Sequence, residues 1–225
     1  MVRAILFDLD DTLYEERQFF RGGFLAVADA LERRGVGARK PTVELLEHFH
    51  FEEGREDVLQ KLATRLAFPN EWIPDLVSAF RAHKPSIRLA DDVGVTLPRL
   101  RERHKLGCVT DGWASVQRAK LESLGVEPLL DAVVVADDYG RDRWKPHPFP
   151  FQRCCELLGA TPAESVFVGD NPHRDVLGAR NVGLLAVRIR RPGGYFARGG
   201  SAAVEPEADF EVQDLFDLER LVSKL

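Results

Sequence analysis

Val2-Arg3-Ala4-Ile5-Leu6-Phe7-Asp8-Leu9-Asp10-Asp11-Thr12-Leu13 sets three carboxylates at the end of the chain's first apolar run. The residues before Asp8 are short and apolar, the pattern of a strand buried on both faces. Side chains alternate along extended backbone, so Asp8 and Asp10 can point to the same side of the strand end. Carboxylates this close repel one another, and burying them without compensation costs several kcal/mol. A divalent cation removes the conflict, which makes the strand end a candidate for one hard metal and one electrophile. The competing reading is a pair of turn or capping aspartates, common after strands.

Four further apolar runs, at 106–110, 132–135, 165–169 and 184–189, read as strands of the same kind. Helical stretches separate the later ones. Residues 115–124 end at Gly125 and 149–158 at Gly159, both C-cap signals. A further helix is read at 175–180, and 214–225 closes the chain as an amphipathic helix. Strand and helix in alternation predict an α/β, doubly wound (Rossmann-like) parallel sheet. Between the first two strands the rhythm breaks: 18–34, 42–50, 55–66 and 71–83 read as helices, interrupted at Gly35, Gly37, Pro41 and Pro69. Residues 91–104 then read as the helix leading into the second strand. The expectation is an α/β core of residues 1–13 and 86–225 carrying an inserted α-helical domain at 14–85. The Gly- and Ala-rich segments 191–200 and 201–208 read as loop before a final strand and helix.

Composition narrows the function classes. The 225 residues are 44% hydrophobic and 30% charged, the balance of a soluble globular protein. A formal net charge of -5 gives no general attraction to nucleic acid polymers or anionic membranes. Arg188, Arg190 and Arg191 form the one short basic run, read as a solvated strand end. Cys108, Cys154 and Cys155 have no metal-like spacing and indicate reduced thiols in a cytoplasmic protein. With a strand beginning at residue 4 no signal peptide is expected, and no apolar run is long enough to cross a bilayer.

Polar residues cluster just after the strands, at the carboxyl edge where open α/β sheets bind ligands. Asp8 and Asp10 suit a nucleophile and a general acid/base around Mg²⁺. Asp11 reads as a turn support. Thr110, before Asp111 and Gly112, offers a hydroxyl and free backbone N–H groups to a phosphate, or is an ordinary strand-end threonine. Asp111 would repel a phosphate if it faced inward and is expected to cap the following helix. Lys145, stiffened by Pro146 and Pro148, is a compact charge suited to a phosphoryl oxygen and a crowd of aspartates, or a solvated lysine. In Gly169-Asp170-Asn171-Pro172-His173-Arg174-Asp175 one carboxylate can face a metal and the other act through it, or Asp175 is a plain helix N-cap. His147, His173 and Arg174 read as surface or loop residues.

In this order, Asp8-Leu9-Asp10-Asp11-Thr12, Thr110, Lys145-Pro146 and Gly169-Asp170 through Asp175 resemble the four-part signature of the haloacid dehalogenase-like (HAD) hydrolase superfamily. The insert at 14–85 looks like that family's C1-type cap. The resemblance implies a phosphatase in which Asp8 attacks phosphorus to give an aspartyl-phosphate. Asp10 would protonate the leaving alkoxide and later deprotonate water. The implied metal set for Mg²⁺ is Asp8, Asp10 (through its backbone carbonyl) and Asp170, with Asp175 behind it. Thr110, Asp111 and Lys145 would hold the phosphoryl oxygens, Lys145 also acting in catalysis. Asp10 argues against dehalogenation, and Thr12 favours phosphatases over the related β-phosphoglucomutases. Many relatives carry Asn where this chain has Asp111.

The function expected is a Mg²⁺-dependent phosphomonoester hydrolase acting on a small phosphorylated metabolite, a sugar phosphate or nucleotide. The alternatives are a C1-capped phosphomutase and a catalytically retired phosphate-binding module. Arg17, Arg21, His48, His50 and Arg55 are the polar candidates for substrate choice, read mostly as solvated helix faces that favour an anionic or polyhydroxylated leaving group.

Overall fold

Six parallel strands form one sheet in the computed structural model, which describes residues 1–197 and 206–225. They are β1 (Ala4–Phe7), β2 (Lys105–Thr110), β3 (Ala132–Val135), β4 (Ser165–Gly169), β5 (Leu185–Ile189) and β6 (Phe210–Val212). The order is β3-β2-β1-β4-β5-β6, the doubly wound arrangement expected. β1 lies between β2 and β4, with Leu6 opposite Gly107 and Phe167. All four β1 residues are buried, which is why the run is apolar without alternation. Residues 198–205, within the expected loop, lie outside the described residues.

The chain divides into two compact units, Met1–Glu16 with Ile87–Leu225, and Arg17–Ser86. The helices of the α/β unit are labelled after the four of the helical unit: α5 (Asp91–Arg101), α6 (Ala114–Leu124), α7 (Pro148–Leu158), α8 (Leu177–Asn181) and α9 (Leu215–Val222). Gly125 and Gly159 end α6 and α7 in left-handed conformation, at φ 60° and 63°. Asp214 caps α9 by accepting from Asp217 N at 2.8 Å. The helix read at 175–180 is present and begins earlier, as a π-helix at Pro172–Val176 that continues into α8.

The basic run differs from its reading as a solvated strand end. Arg188 is buried, and its Nη2 donates to Phe196 O at 3.1 Å. Arg191 makes a two-pronged pair with Asp92, both contacts 2.9 Å, and its Nε donates to Thr12 O at 2.6 Å. Asp92 also accepts from Leu215 N at 2.7 Å. Burial pushes the Asp92 carboxyl up, but Arg191 and the Leu215 amide outweigh it and hold it below the usual value. Arg191, through Asp92, ties α5, α9 and the loop after β1 together.

The helical unit comprises α1 (Arg17–Arg33), α2 (Arg39–Phe51), α3 (Val58–Leu66) and α4 (Ile73–Ala82). Pro41, expected as a break, sits in the first turn of α2, where its missing N–H has no acceptor to lose. Phe24, Val27, Leu31, Leu46, Leu62 and Leu76 form the centre of the core. α1 packs against α2 and α4. Gly23 allows the close approach to α4: a Cβ there would lie 2.2 Å from the Phe80 ring.

Candidate active site

The order of strands reverses at β1 and β4, and the backbone ties their ends together: Asp8 N donates to Val168 O at 2.8 Å. Asp8 therefore emerges beside the loop that follows β4. Lys145, on the segment after β3, reaches the same point. Its ammonium donates to Asp8 Oδ1, to Asp175 Oδ1 at 2.8 Å and to Val109 O at 3.3 Å. Burial works against this ammonium, yet Asp175, Asp8 and Asp111 outweigh it and hold Lys145 well above its usual pKa.

Asp175 is not the helix cap that competed for its role. Asn171 caps the turn, accepting from His173 N at 3.0 Å and Arg174 N at 3.1 Å. Asp175 turns inward, with Oδ2 accepting from Asn171 N at 3.0 Å. Gly169 makes room: a Cβ on it would lie 2.5 Å from Asp175 Cγ. Oxygens of Asp8, Asp170 and Asp175 lie within 4.8 Å of one another. Burial pushes the Asp8 carboxyl well up, with Asp175 and Asp10 adding to the rise against Lys145. Burial does the same to Asp170, reinforced by Asp175 and Asp8. Three carboxylates face one ammonium, so the cluster carries uncompensated negative charge. An all-oxygen donor set with that excess fits a hard divalent cation such as Mg²⁺.

Asp8 and Asp170 of the expected metal set are in this cluster, and Asp175, expected behind it, supplies the third carboxylate. The Asp10 carboxylate, which the expected set does not use, is engaged elsewhere. Lys120 donates to both Asp10 oxygens at 2.7 and 2.9 Å, Gln117 Nε2 donates to Oδ2 at 3.0 Å, and the Tyr14 hydroxyl donates to Oδ1. Burial raises the Asp10 carboxyl, but Lys120, then Tyr14 and Gln117, win and hold it below its usual value. Gln117 also donates to the Thr110 hydroxyl, which is fully buried at the end of β2. Two carboxyl groups two residues apart are thus pushed in opposite directions, a pattern found where acid/base roles are divided.

Tyr14, Gln117 and Lys120 were not singled out in the sequence. The signal was there for two of them. The buried positions of α6 are Val116, Gln117, Lys120, Leu121 and Leu124, so an amide and a lysine occupy the apolar stripe.

Asp111 does not cap α6. Asp137, after β3, does so by accepting from Ala114 N at 2.9 Å. Asp111 is buried, with Oδ1 accepting from the Lys145 backbone N at 3.2 Å. Its carboxylate fixes the lysine segment, and burial pushes it up. Asp11 supports the turn as expected, accepting from Glu16 N and Tyr195 N, both at 2.9 Å. His147 is exposed and caps α7 by accepting from Phe149 N; His173 and Arg174 are exposed.

A family model for haloacid dehalogenase-like hydrolases matches residues 5–189. A glyceraldehyde 3-phosphate phosphatase from Methanopyrus kandleri is 32% identical over 98% of this chain and 94% of its own. An N-acylneuraminate-9-phosphatase from Homo sapiens is 29% identical, over 82% of this chain and 81% of its own. The crystal structure of a HAD phosphatase from Thermococcus onnurineus is 28% identical, covers 98% of both chains and superposes with a TM-score of 0.65. The motif order, the parallel sheet and these likenesses agree: the chain belongs to the haloacid dehalogenase-like hydrolase family.

Proposed function

We propose that the protein is a Mg²⁺-dependent phosphomonoester hydrolase of small phosphorylated metabolites. The observation that carries this reading is the buried cluster of Asp8, Asp170 and Asp175 against Lys145, beside an Asp10 held separately by Lys120. Asp8 attacks phosphorus and becomes the aspartyl-phosphate, while Lys145 holds it in place and neutralises a phosphoryl oxygen. A bound Mg²⁺ supplies charge compensation for the phosphoryl group and the carboxylates. Thr110 presents its hydroxyl to a second phosphoryl oxygen.

Asp10 moves the protons. Lys120 and Tyr14 favour its ionised form, which serves its task as base towards the water that hydrolyses the aspartyl-phosphate. Giving a proton to the leaving oxygen requires that the pairing with Lys120 be released. The helical unit serves as the cap that meets the leaving group. The relatives named above act on a phosphorylated triose and a phosphorylated sugar acid, in keeping with a sugar phosphate or related anion as substrate. The buried, free thiols of Cys108, Cys154 and Cys155 suit a cytoplasmic setting, and no helix among the described residues is long and apolar enough to cross a membrane.

The test is phosphate release from p-nitrophenyl phosphate with Mg²⁺. EDTA and Asp8→Asn should each reduce it by at least about a thousandfold. Turnover that survives Asp8→Asn would overturn the assignment.

A further inference from the structure

A cavity of about 280 Å³ lies within the helical unit, lined among others by Phe20, Phe24, Val27, His50, Arg55 and Phe80. Its walls are aromatic: the His50 ring lies 4.0 Å from that of Phe20 and 5.5 Å from that of Phe24. His50 is only 5% exposed, and its Nε2 is buried without a hydrogen-bond partner among the described residues. A buried ring nitrogen left so is unfavourable by about 1–3 kcal/mol. Two guanidiniums stand close by, Arg55 at 5.4 Å from the Phe20 ring and Arg17 at 4.0 Å from the Phe51 ring. Burial, followed by Arg55 and Arg17, lowers the imidazole pKa to about 4, so the ring is neutral at pH 7. Water alone answers the nitrogen but not the phenylalanines, since apolar cavities stay dry. The volume suits one ring with a short tail.

We infer that this cavity binds a compact amphipathic anion, its apolar body among the phenylalanines and its carboxylate or similar oxyanion at His50 Nε2 and Arg55. A neutral imidazole can donate from one nitrogen, and arginine adds the charge complement. Of the five polar candidates on the helical unit, His50 and Arg55 line this cavity, while Arg21 and His48 pair with Glu47 and Glu53 at the surface.

Phenylacetate is the probe, titrated into the full chain carrying ¹⁵N-labelled histidine, with acetate and benzyl alcohol as partial ligands. Phenylacetate should displace the His50 ring signals saturably, and acetate should not. Arg55→Gln should weaken phenylacetate about tenfold and leave benzyl alcohol unchanged. His50→Phe assigns the signals and should also weaken phenylacetate. If that variant does not fold, the Arg55→Gln comparison stands on its own. No saturable response, a response matched by acetate, or equal affinity in Arg55→Gln overturns the site. Inhibition of p-nitrophenyl phosphate hydrolysis then identifies the source. Competition assigns the anion to the substrate's own leaving group, and binding without competition assigns it to a separate ligand. Only this last arm rests on the phosphatase reading, because the ring signals are read without turnover.

Discussion

At the carboxyl edge of the parallel sheet, Asp8, Asp10 and Asp175 each lie against a lysine ammonium, whereas in the helical unit a buried imidazole sits among phenylalanines with Nε2 unpartnered. The first region supplies a counter-charge within hydrogen-bond reach, which holds Asp10 below and Lys145 above its usual value. The second keeps its group neutral by burial. The difference lies in how each region meets the cost of burying a polar group: by pairing it with an opposite charge, or by leaving it uncharged.

Removing the counter-charge should break the first region most severely. Lys145→Met leaves the carboxylate cluster uncompensated and should lower the unfolding free energy in urea by about 3–5 kcal/mol in metal-free buffer. Added Mg²⁺ should recover part of that loss by binding the folded state. A loss under about 1 kcal/mol, unaffected by Mg²⁺, would show that Lys145 does not neutralise the cluster.

Gly169→Ala tests how tightly Asp175 is placed. Its Cβ would fall 2.5 Å from Asp175 Cγ, so the carboxylate must move. Destabilisation of about 1–3 kcal/mol is expected, with weaker Mg²⁺ binding by calorimetry. Unchanged metal affinity would place Asp175 outside the metal's reach. Lys120→Met removes the cation that pairs with Asp10. It should lower kcat about 10–100-fold with KM nearly unchanged, and Lys120→Arg should restore part of the loss.

The smallest effect belongs to the second region. His50 titrates near 4 when folded against 6.5 as its ordinary value, so between these values the unfolded chain binds more protons. Stability therefore rises with pH across that window, and His50→Phe should remove this component. Urea midpoints measured at several pH values for both proteins decide it; identical pH slopes would mean that His50 is not held neutral.

Much of the fold was legible because strands buried on both faces leave apolar runs that need no periodicity. β1 and β4 are fully buried, and their bounds fall where the sequence placed them. The edge strand β6 has three residues, two of them exposed, too little for a bounded pattern. Arg191 shows a different limit. Its partner Asp92 lies 99 residues away, so an arginine that looks solvated in sequence is held by a two-pronged ion pair in the fold. Asp111 shows another: the cap of α6 comes from Asp137 on a neighbouring strand's loop, leaving Asp111 to hold the Lys145 backbone.

By itself, the sequence determined the alternation of strand and helix and the residue types at the strand ends. Both follow from local burial and from turn chemistry within a few residues. Only the tertiary structure decided which carboxylate meets which cation. Asp8 finds Lys145 across 137 residues and Asp10 finds Lys120 across 110. That choice separates Asp8 from Asp10 and brings Asp175 into the acidic cluster. Electrostatic pairing acts through space, and the sheet order, rather than proximity along the chain, sets those distances.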